Sequence, residues 1–284
     1  MRVYQFRHIR PASRHGSHWP VAVLLTWNVA GRVRGASDQA AAVLAADWDV
    51  VCLQEITPTT ADAWRAALEG AGLQVAISAW PPSPEGSRRL GVLVASRTSM
   101  EPLPALAGAP WPERHLAVRT TVDGIDVEVH TLHAPLSQKP GAVKVRTLEA
   151  LHEALVDGDE TPRIVTGDFN TPRYESRAGE ITTFARTQSG KLRPEYGERH
   201  DRAELLLIDD LPRRGWRDAF RALHGYERRD RSYLIKPPGY GWRLDHVICS
   251  PGVRPVACDY LHEWRELKLS DHSGMWAEVK AGAA

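Results

Sequence analysis

The sequence lacks any apolar stretch approaching the ~20 residues that a membrane-spanning helix needs. Residues 1–20 also lack the apolar middle section of a secretion signal, and they carry arginines among histidine and proline residues instead. We therefore expect no membrane partner, and we interpret residues 1–20 as a flexible N-terminal extension.

Cysteine is scarce, with 3 residues that are well separated along the chain. An odd number of cysteines, none at zinc-like spacing, argues against a disulfide framework and against a cysteine-based zinc site. Cys52 and Cys249 lie within apolar runs, which is typical of small core residues in a reducing compartment. A cytoplasmic location is therefore expected.

A strong net charge is missing as well, because the formal net charge is +1 at pH 7. No overall field attracts nucleic acid or an acidic membrane, although a local basic face is compatible with this balance. The apolar fraction of 43% and the 284-residue length suit a globular chain that buries its core without disulfides. Without repeats or composition breaks, residues 21–284 are expected to form a single, monomeric domain.

Strand and helix patterns alternate along the chain, which favours an α/β domain of packed sheets with helices outside. Strands are predicted over 21–27, 49–54, 73–79, 90–96, 118–122, 125–132, 164–166, 244–249 and 275–279. Helices are predicted over 38–46, 60–69 and 141–155 and near 202–211. Asp123-Gly124 predicts a hairpin turn, and a proline-rich loop over 81–86 is expected at a rim.

Polar residues follow or flank many of these predicted strands. They are Asn28, Glu55, His133, Asp168 with Asn170, Asp245, and Asp271 with His272. Each has a plain alternative as a turn residue, a helix cap, a surface acid or a core histidine. Together they offer hard oxygen ligands, a pair of imidazoles and carboxylates that can orient them.

This combination suits phosphate-ester hydrolysis. Glu55, Asp271 and Asn28 offer the oxygen ligands that Mg²⁺ or Mn²⁺ prefers. Asp168 can take a proton from water or hold the water in line, and Asn170 can fix the phosphate or the water. A histidine bonded to a carboxylate can stabilise phosphoryl charge or protonate the leaving oxygen.

Together these motifs resemble the endonuclease/exonuclease/phosphatase superfamily, the deoxyribonuclease I-like metal-dependent phosphoesterases. Thr-Trp-Asn-Val, Leu-Gln-Glu, Gly-Asp-Phe-Asn, Trp-Arg-Leu-Asp and Ser-Asp-His occur in the family's order between residue 24 and about residue 279. The resemblance implies a four-layer α/β sandwich of two packed mixed β-sheets flanked by helices, with the active site at one end.

The resemblance also implies roles for individual residues. Asn28 and Glu55 would serve the metal site, and Asp271 would serve the metal site or its neighbouring histidine. Asp168 and Asn170 would position the water and the phosphate. His272, held by Asp245, would stabilise the phosphate, and His133 would be a second catalytic histidine.

The segments over 215–221 and 241–245 are similar to the exonuclease III and abasic-endonuclease branch. That branch usually has Asp where this chain has Ala30 and Tyr where it has His133, so abasic-site specificity is not implied. Glu85 lies in the right region for an acidic partner of His133.

Two segments have open interpretations. The loop over 173–199 is rich in basic and aromatic residues and suits phosphate tracking by Arg173 and base stacking, or it is a solvated loop. The segment over 111–115 contacts substrate or simply enters an edge strand.

The sequence therefore predicts a Mg²⁺- or Mn²⁺-dependent phosphodiesterase, with nucleic acid as the expected substrate. One alternative is a phosphodiesterase or phosphatase for a small-molecule or lipid phosphoester, which the near-neutral charge favours. Another is a non-catalytic binding module on the same scaffold, which the complete set of polar residues disfavours.

Overall fold

A computed structural model describes residues 21–80, 89–122, 124–137, 142–157, 159–235 and 239–282. The expected N-terminal extension, the proline-rich loop over 81–86 and Glu85 lie outside these ranges.

The strands are β1 (Ala22–Asn28), β2 (Val50–Ile56), β3 (Gln74–Ile77), β4 (Gly91–Ser96), β5 (Met100–Pro102), β6 (His115–Val122), β7 (Ile125–His133), β8 (Arg163–Asp168), β9 (Tyr174–Glu175), β10 (Ile181–Thr182), β11 (Arg217–Asp218), β12 (Tyr233–Ile235), β13 (Tyr240–Trp242), β14 (Asp245–Cys249), β15 (Val253–Leu261) and β16 (Gly274–Ala281). The helices are α1 (Ala36–Leu44), α2 (Pro58–Gly70), α3 (Val143–Val156), α4 (Gly197–Leu205), α5 (Leu211–Arg213), α6 (Ala219–His224) and α7 (His262–Glu266). A 3₁₀ turn spans Pro112–Arg114, and a π-helical segment spans Leu206–Asp210.

Two six-stranded mixed sheets organise the fold. The first has the strand order β15-β16-β1-β2-β4-β3, and the second has the order β11-β14-β8-β7-β6-β5. Each sheet contains one parallel pair, β1 with β2 and β7 with β8, among antiparallel neighbours.

The apolar residues form three cores that define four layers. Leu24 and Val50 of the first sheet pack with Val129 and Val247 of the second, so the sheets lie face to face. The outer face of the first sheet packs on α1 and α2, and the outer face of the second packs on α3 and the π-helical segment. The expected four-layer α/β sandwich is confirmed.

Helix α2 shows how local sequence sets an element. The side chain of Thr57 accepts a hydrogen bond from the Thr60 backbone N–H, and the Thr60 side chain reciprocates, which forms a capping box. Pro58 occupies the first turn, where its missing N–H costs nothing. Trp64 and Leu68 then bury one face against the first sheet. The helix begins two positions before its predicted start because Thr57, not Thr60, is the cap.

The hairpin of β6 and β7 is confirmed by the pairing of Val122 with Ile125. Strand β15 was not predicted, because Pro255 lies inside it and proline argues against a strand. The structure accommodates Pro255 by placing β15 at the sheet edge, with a register shift between Pro255 and Ala257.

The predicted helix near 202–211 begins earlier, at Gly197, and its second half is π-helical. The polar loop over 173–199 contains the short pair β9 and β10. In the described part of the chain, no helix combines the length and apolarity that a bilayer crossing requires.

Candidate active site

The two parallel strand pairs bring four predicted site residues to the same end of the sandwich. Asn28 ends β1 and Glu55 lies near the end of β2, while His133 ends β7 and Asp168 ends β8. His133 and Asp168 are direct register partners. Strand ends are the usual ligand positions in α/β sheets.

Antiparallel neighbours add the remaining residues at this end. Strand β14 runs opposite to β8, so its first residue, Asp245, pairs with Asp168. His272 lies just before β16, and its carbonyl oxygen accepts a hydrogen bond from the Trp27 indole at 3.1 Å. Tyr233 bridges to His272 and anchors the same segment.

The glycine of Gly-Asp-Phe-Asn is required by close packing between β7 and β8. Gly167 has a φ of 128°, and an added Cβ would lie 2.1 Å from the carbonyl oxygen of Leu132. A larger residue would push the two strands apart, and Asp168 would move with its strand.

The turn after Asp168 aims Asn170. Asn170 has a φ of 50°, and its backbone N–H donates to Oδ1 of Asp168 at 2.9 Å. Its side-chain Nδ2 donates to the carbonyl oxygen of Ala134 at 2.7 Å. Phe169 between them is fully buried and stacks on His246. The turn is thus held from both sides.

The side-chain amide of Asn28 forms hydrogen bonds with two carboxylates. Its Nδ2 lies 2.9 Å from Oδ2 of Asp168 and 3.3 Å from Oε1 of Glu55, while its Oδ1 accepts from the Ala30 backbone N–H. Glu55 has a φ of 63° at a register shift in β2, which turns its side chain toward this cluster. Two acidic groups therefore converge on one amide.

His272 and Asp245 form a buried pair. Nδ1 of His272 lies 2.8 Å from Oδ2 of Asp245, and Nε2 lies 3.8 Å from Oδ2 of Asp168. Burial alone would lower the pKa of His272, but the charges of Asp245 and Asp168 outweigh it and raise the pKa to about 10. The imidazole is therefore cationic at neutral pH.

Asp168 is buried between these groups. Burial raises the pKa of Asp168 to about 7, and the charge of Asp245 adds to this, while His272 and the hydrogen bonds from Asn170 and Asn28 oppose it. A carboxyl group with a pKa near the working pH suits proton transfer from water.

The structure adds one residue that the sequence analysis did not place in the site. Arg114 is buried, and its Nη1 lies 2.5 Å from Nδ1 of His133. A guanidinium group only donates, so Nδ1 of His133 is the acceptor of this hydrogen bond. Nε2 of His133 faces Glu55 at 3.5 Å. The only signal in the sequence was the segment over 111–115, which enters β6 through a 3₁₀ turn with Trp111 over the guanidinium.

The donor set fits a hard divalent cation. Carboxylates of Glu55 and Asp168 converge near the amide of Asn28, and Oδ1 of Asp245 is buried without a hydrogen-bond partner in the described structure. Ligand atoms of Asp168, Asp245 and His272 also lie within 4.8 Å of one another. Oδ2 of Asp245 is engaged by the cationic imidazole of His272, whose positive charge disfavours a metal ion beside it, so we favour the Glu55 side of Asp168 for a metal.

Two predicted site residues lie at the margin. Asp271 is exposed, and its negative charge contributes to the raised pKa of His272. Arg173 donates from Nη1 to the carbonyl oxygen of Arg186 at 2.8 Å, within its own loop. Their assigned metal and substrate roles stay predictions.

An ionic network lies beneath the site. The Arg243 guanidinium bonds to Glu175 and to Asp218 at 2.8 Å each, and His246 links Asp218 to the carbonyl oxygen of Thr171. Burial alone would raise the pKa of Glu175, but Arg243 and Arg221 lower it to about 2. The network packs beneath the Asp168 turn, and two of its members, Asp218 and Arg243, come from the segments over 215–221 and 241–245.

Two packed mixed six-stranded sheets with helices on their outer faces are the deoxyribonuclease I-like fold. The chain belongs to the endonuclease/exonuclease/phosphatase family of phosphoester hydrolases, whose model matches residues 25–272. A search of curated proteins gave no significant match.

Several solved structures share the fold. An AP endonuclease from Archaeoglobus fulgidus is 22% identical with a TM-score of 0.65, and the alignment covers 90% of this chain and 98% of that one. The 3′ phosphatase NExo from Neisseria, bound to a product DNA hairpin, is 22% identical with a TM-score of 0.66, covering 91% and 99%. TDP2 from D. rerio, complexed with a single-strand DNA product, is 16% identical with a TM-score of 0.60, covering 92% and 99%.

Proposed function

We propose that residues 21–284 act as one catalytic domain that hydrolyses phosphodiester bonds in nucleic acid, with Mg²⁺ or Mn²⁺ as cofactor. The observation that carries the proposal is the convergence of Asp168 with Asn28, Asn170 and His272 at one end of the sandwich. A buried carboxylate, two amides and a cationic imidazole around one point match the needs of in-line attack by water.

Asp168 accepts the proton of the attacking water. Its raised pKa makes it a better base than an ordinary carboxylate, and Asn28 keeps Oδ2 oriented by a hydrogen bond. We assign to Asn170 the holding of the water or of a phosphoryl oxygen, and the bonds from its backbone to Asp168 and from its amide to Ala134 keep it in position for this role.

The positive groups stabilise the charge that develops on the phosphoryl oxygens. His272 is cationic and oriented by Asp245, and it supplies a positioned donor. We assign the second positive charge to Arg114, with His133 held between Arg114 and Glu55 near the leaving oxygen. Glu55, with Asn28 beside it and Asp271 at the margin, would hold the divalent cation, which would add Lewis-acid stabilisation of the phosphate.

An aromatic wall favours nucleic acid over other phosphoesters. Tyr233 and Trp242 stack with ring centroids 5.9 Å apart, and Phe184 meets Trp242 edge-on at 5.1 Å. The Tyr233 ring lies 4.9 Å from the ring of His272, so the wall begins at the phosphate site. Bases stack on such surfaces with little sequence preference. The DNA-bound relatives NExo and TDP2 agree with this assignment.

A small-molecule or lipid phosphoester is the second candidate, because the net charge of +1 supplies no general attraction for a polyanion. Added salt separates the two substrate classes. Nucleic-acid binding weakens steeply with salt as counterions are released, whereas binding of a small monovalent ester changes little.

The direct test is a hydrolysis panel of plasmid, single-stranded and abasic oligonucleotides, RNA, a small bis-aryl phosphodiester and a phosphomonoester. Turnover with Mg²⁺ or Mn²⁺ should stop in EDTA, and Asp168→Asn should lose about 10²–10⁴-fold of kcat while the protein still folds, as circular dichroism would show. Asp62→Asn on the exposed face of α2 is the matched control. Full activity of Asp168→Asn would refute the mechanism, and no turnover of any substrate would revive the binding-module alternative.

A further inference from the structure

A buried lysine lies behind the active-site turn. Lys144 is in the first turn of α3 and is 1% exposed, although lysine almost never lies fully inside a protein without partners. Its three donor positions match three acceptors: the carbonyl oxygen of Asn170 at 2.7 Å, Oγ of Ser137 at 3.1 Å, and Oε1 of Glu204.

Its ionic partner, Glu204 of α4, is equally buried. Oε1 accepts from Lys144, from Oγ of Ser137 at 2.6 Å and from Nε2 of His200 at 3.2 Å. Oε2 accepts the backbone N–H of Phe184 at 2.6 Å. Each oxygen of this carboxylate therefore has its own partners.

The Lys144–Glu204 pair connects the turn at Asn170 with the aromatic wall at Phe184. On one side, Lys144 holds the carbonyl oxygen of Asn170, whose backbone is in the left-handed region. On the other side, Glu204 holds the backbone of Phe184, the residue that packs on Trp242 in the aromatic wall. The Lys144 ammonium also lies 5.5 Å from the centre of the Phe184 ring.

Stability alone gives a poor reason for burying this pair, because desolvation of two charges offsets most of their attraction. An apolar pair of similar volume would avoid that desolvation, but it would leave the carbonyl oxygen of Asn170 and the backbone N–H of Phe184 without these partners. The two charged side chains instead fix two backbone groups. Lys144 holds the carbonyl oxygen of Asn170, and Glu204 holds the backbone N–H of Phe184.

We infer that Lys144 and Glu204 are a positioning pair that keeps the phosphate-facing turn at Asn170 and the aromatic wall at Phe184 in one fixed relation. The inference deepens the proposed function and rests on it. Lys144 acts through Asn170 and sets the rate of hydrolysis. Glu204 acts through Phe184 and sets the affinity for chains that carry bases.

The test compares the full-length Lys144→Met single variant with the Lys144→Met/Glu204→Met double variant. The single variant leaves the buried carboxylate of Glu204 without its ionic partner and should melt at a lower temperature, whereas the double variant should recover part of that loss because no buried charge is left behind. Both should lose about 10-fold or more of kcat with every substrate that the wild type hydrolyses, because Asn170 is no longer held. In the double variant, KM should rise for oligonucleotides.

The matched control is the pair Arg199 and Glu149, which joins the same two helices at the surface at 2.6 Å. Arg199→Met/Glu149→Met should leave kcat and KM unchanged. If the double variant of the buried pair does not fold, Lys144→Gln takes its place, because its amide still donates to Asn170 and should keep more of the kcat than Lys144→Met.

The outcomes separate this inference from the proposed function. No hydrolysis by the wild type across the panel would reject the proposed function itself. An active wild type whose folded double variant has the same kcat and KM would overturn the positioning role, and so would equal kcat values for the wild type, Lys144→Gln and Lys144→Met.

Discussion

Asp245 faces Asp168 across the β8–β14 pairing, yet its carboxylate bonds to His272, which lies 27 residues further along the chain. The strand register therefore places one carboxylate where a water can be activated and a second where an imidazole is held cationic. A one-residue slip of β14 would turn Asp245 to the opposite face of its sheet, so the site depends on this register.

The substitution Asp245→Asn should remove the ion pair between Asp245 and His272. Asparagine fills the same space without the negative charge that keeps His272 cationic, so kcat should fall by about 10²–10⁴-fold. Steady-state kinetics on the best substrate of the panel measures the loss. Asp126→Asn, at an exposed position of β7, is the control. A kcat within the error of the wild type would contradict the role given to Asp245.

The pH dependence of kcat/KM should have two limbs. The buried carboxyl of Asp168 has a pKa raised to about 7, so activity should rise as it ionises, and activity should fall as His272 loses its proton near a pKa of about 10. A bound divalent cation should move the acid limb to lower pH, because positive charge favours the carboxylate. In Asp245→Asn the alkaline limb should move toward neutrality, and an unmoved limb would exclude His272 as its source.

Stability should depend on the same histidine. Its pKa is raised from 6.5 to about 10 in the folded state, so the folded protein binds this proton more tightly than the unfolded chain. The resulting stabilisation is complete below about pH 6.5 and is lost as the pH rises through about 10. Urea unfolding across this range should therefore show a steeper loss for the wild type than for His272→Gln. Parallel curves would contradict the buried ion pair.

Removing the Trp242 side chain should weaken binding of chains that carry bases. Stacking contributes about 1–3 kcal/mol per base, so Trp242→Ala should raise KM for oligonucleotides roughly 5- to 150-fold. The control is a substrate of abasic sugar-phosphate units, which has no base to stack and should show a much smaller change. An equal rise in KM for both substrates would mean that Trp242 acts through the backbone of the site instead.

The ionic network of Arg243 with Glu175 and Asp218 should contribute strongly to the free energy of unfolding. Arg243→Met leaves the buried carboxylates of Glu175 and Asp218 short of a partner, which should cost about 3–5 kcal/mol of unfolding free energy. Chemical denaturation measures this change. Arg254→Met on the exposed face of β15 should stay within about 0.5 kcal/mol of the wild type. A small effect of Arg243→Met would show that the network can relax or admit water.

Most helices and strands were predicted correctly because each carries its own pattern of apolar and polar residues. The alternation over 125–132 predicted β7, and the apolar run over 49–54 predicted β2. Strand β15 escaped prediction because Pro255 is tolerated only at an edge, and edge position is decided by the strand order. The π-helical turn at Leu206–Asp210 likewise has no periodicity of its own in the sequence.

For the site, the sequence identified Asn28, Glu55, His133, Asp168, Asn170, Asp245 and His272, and the structure brings them to one end of the sandwich. Their catalytic roles stay predictions. Arg114 was not recognised, because its segment resembles an ordinary strand entry until β6 and β7 pair and bring it against His133. Lys144 showed no signal at all, since a lysine in an amphipathic helix is normally a surface residue.

The sequence by itself determined the class of fold, the family and the residue types available for chemistry, because apolar periodicity and short motifs are local properties. Only the tertiary structure decided which carboxylate holds which imidazole, that His133 accepts from a guanidinium, and that a buried ion pair connects Asn170 to Phe184. Those relationships join residues 19 to 60 positions apart. They follow from strand register and helix packing, which no single stretch of sequence encodes.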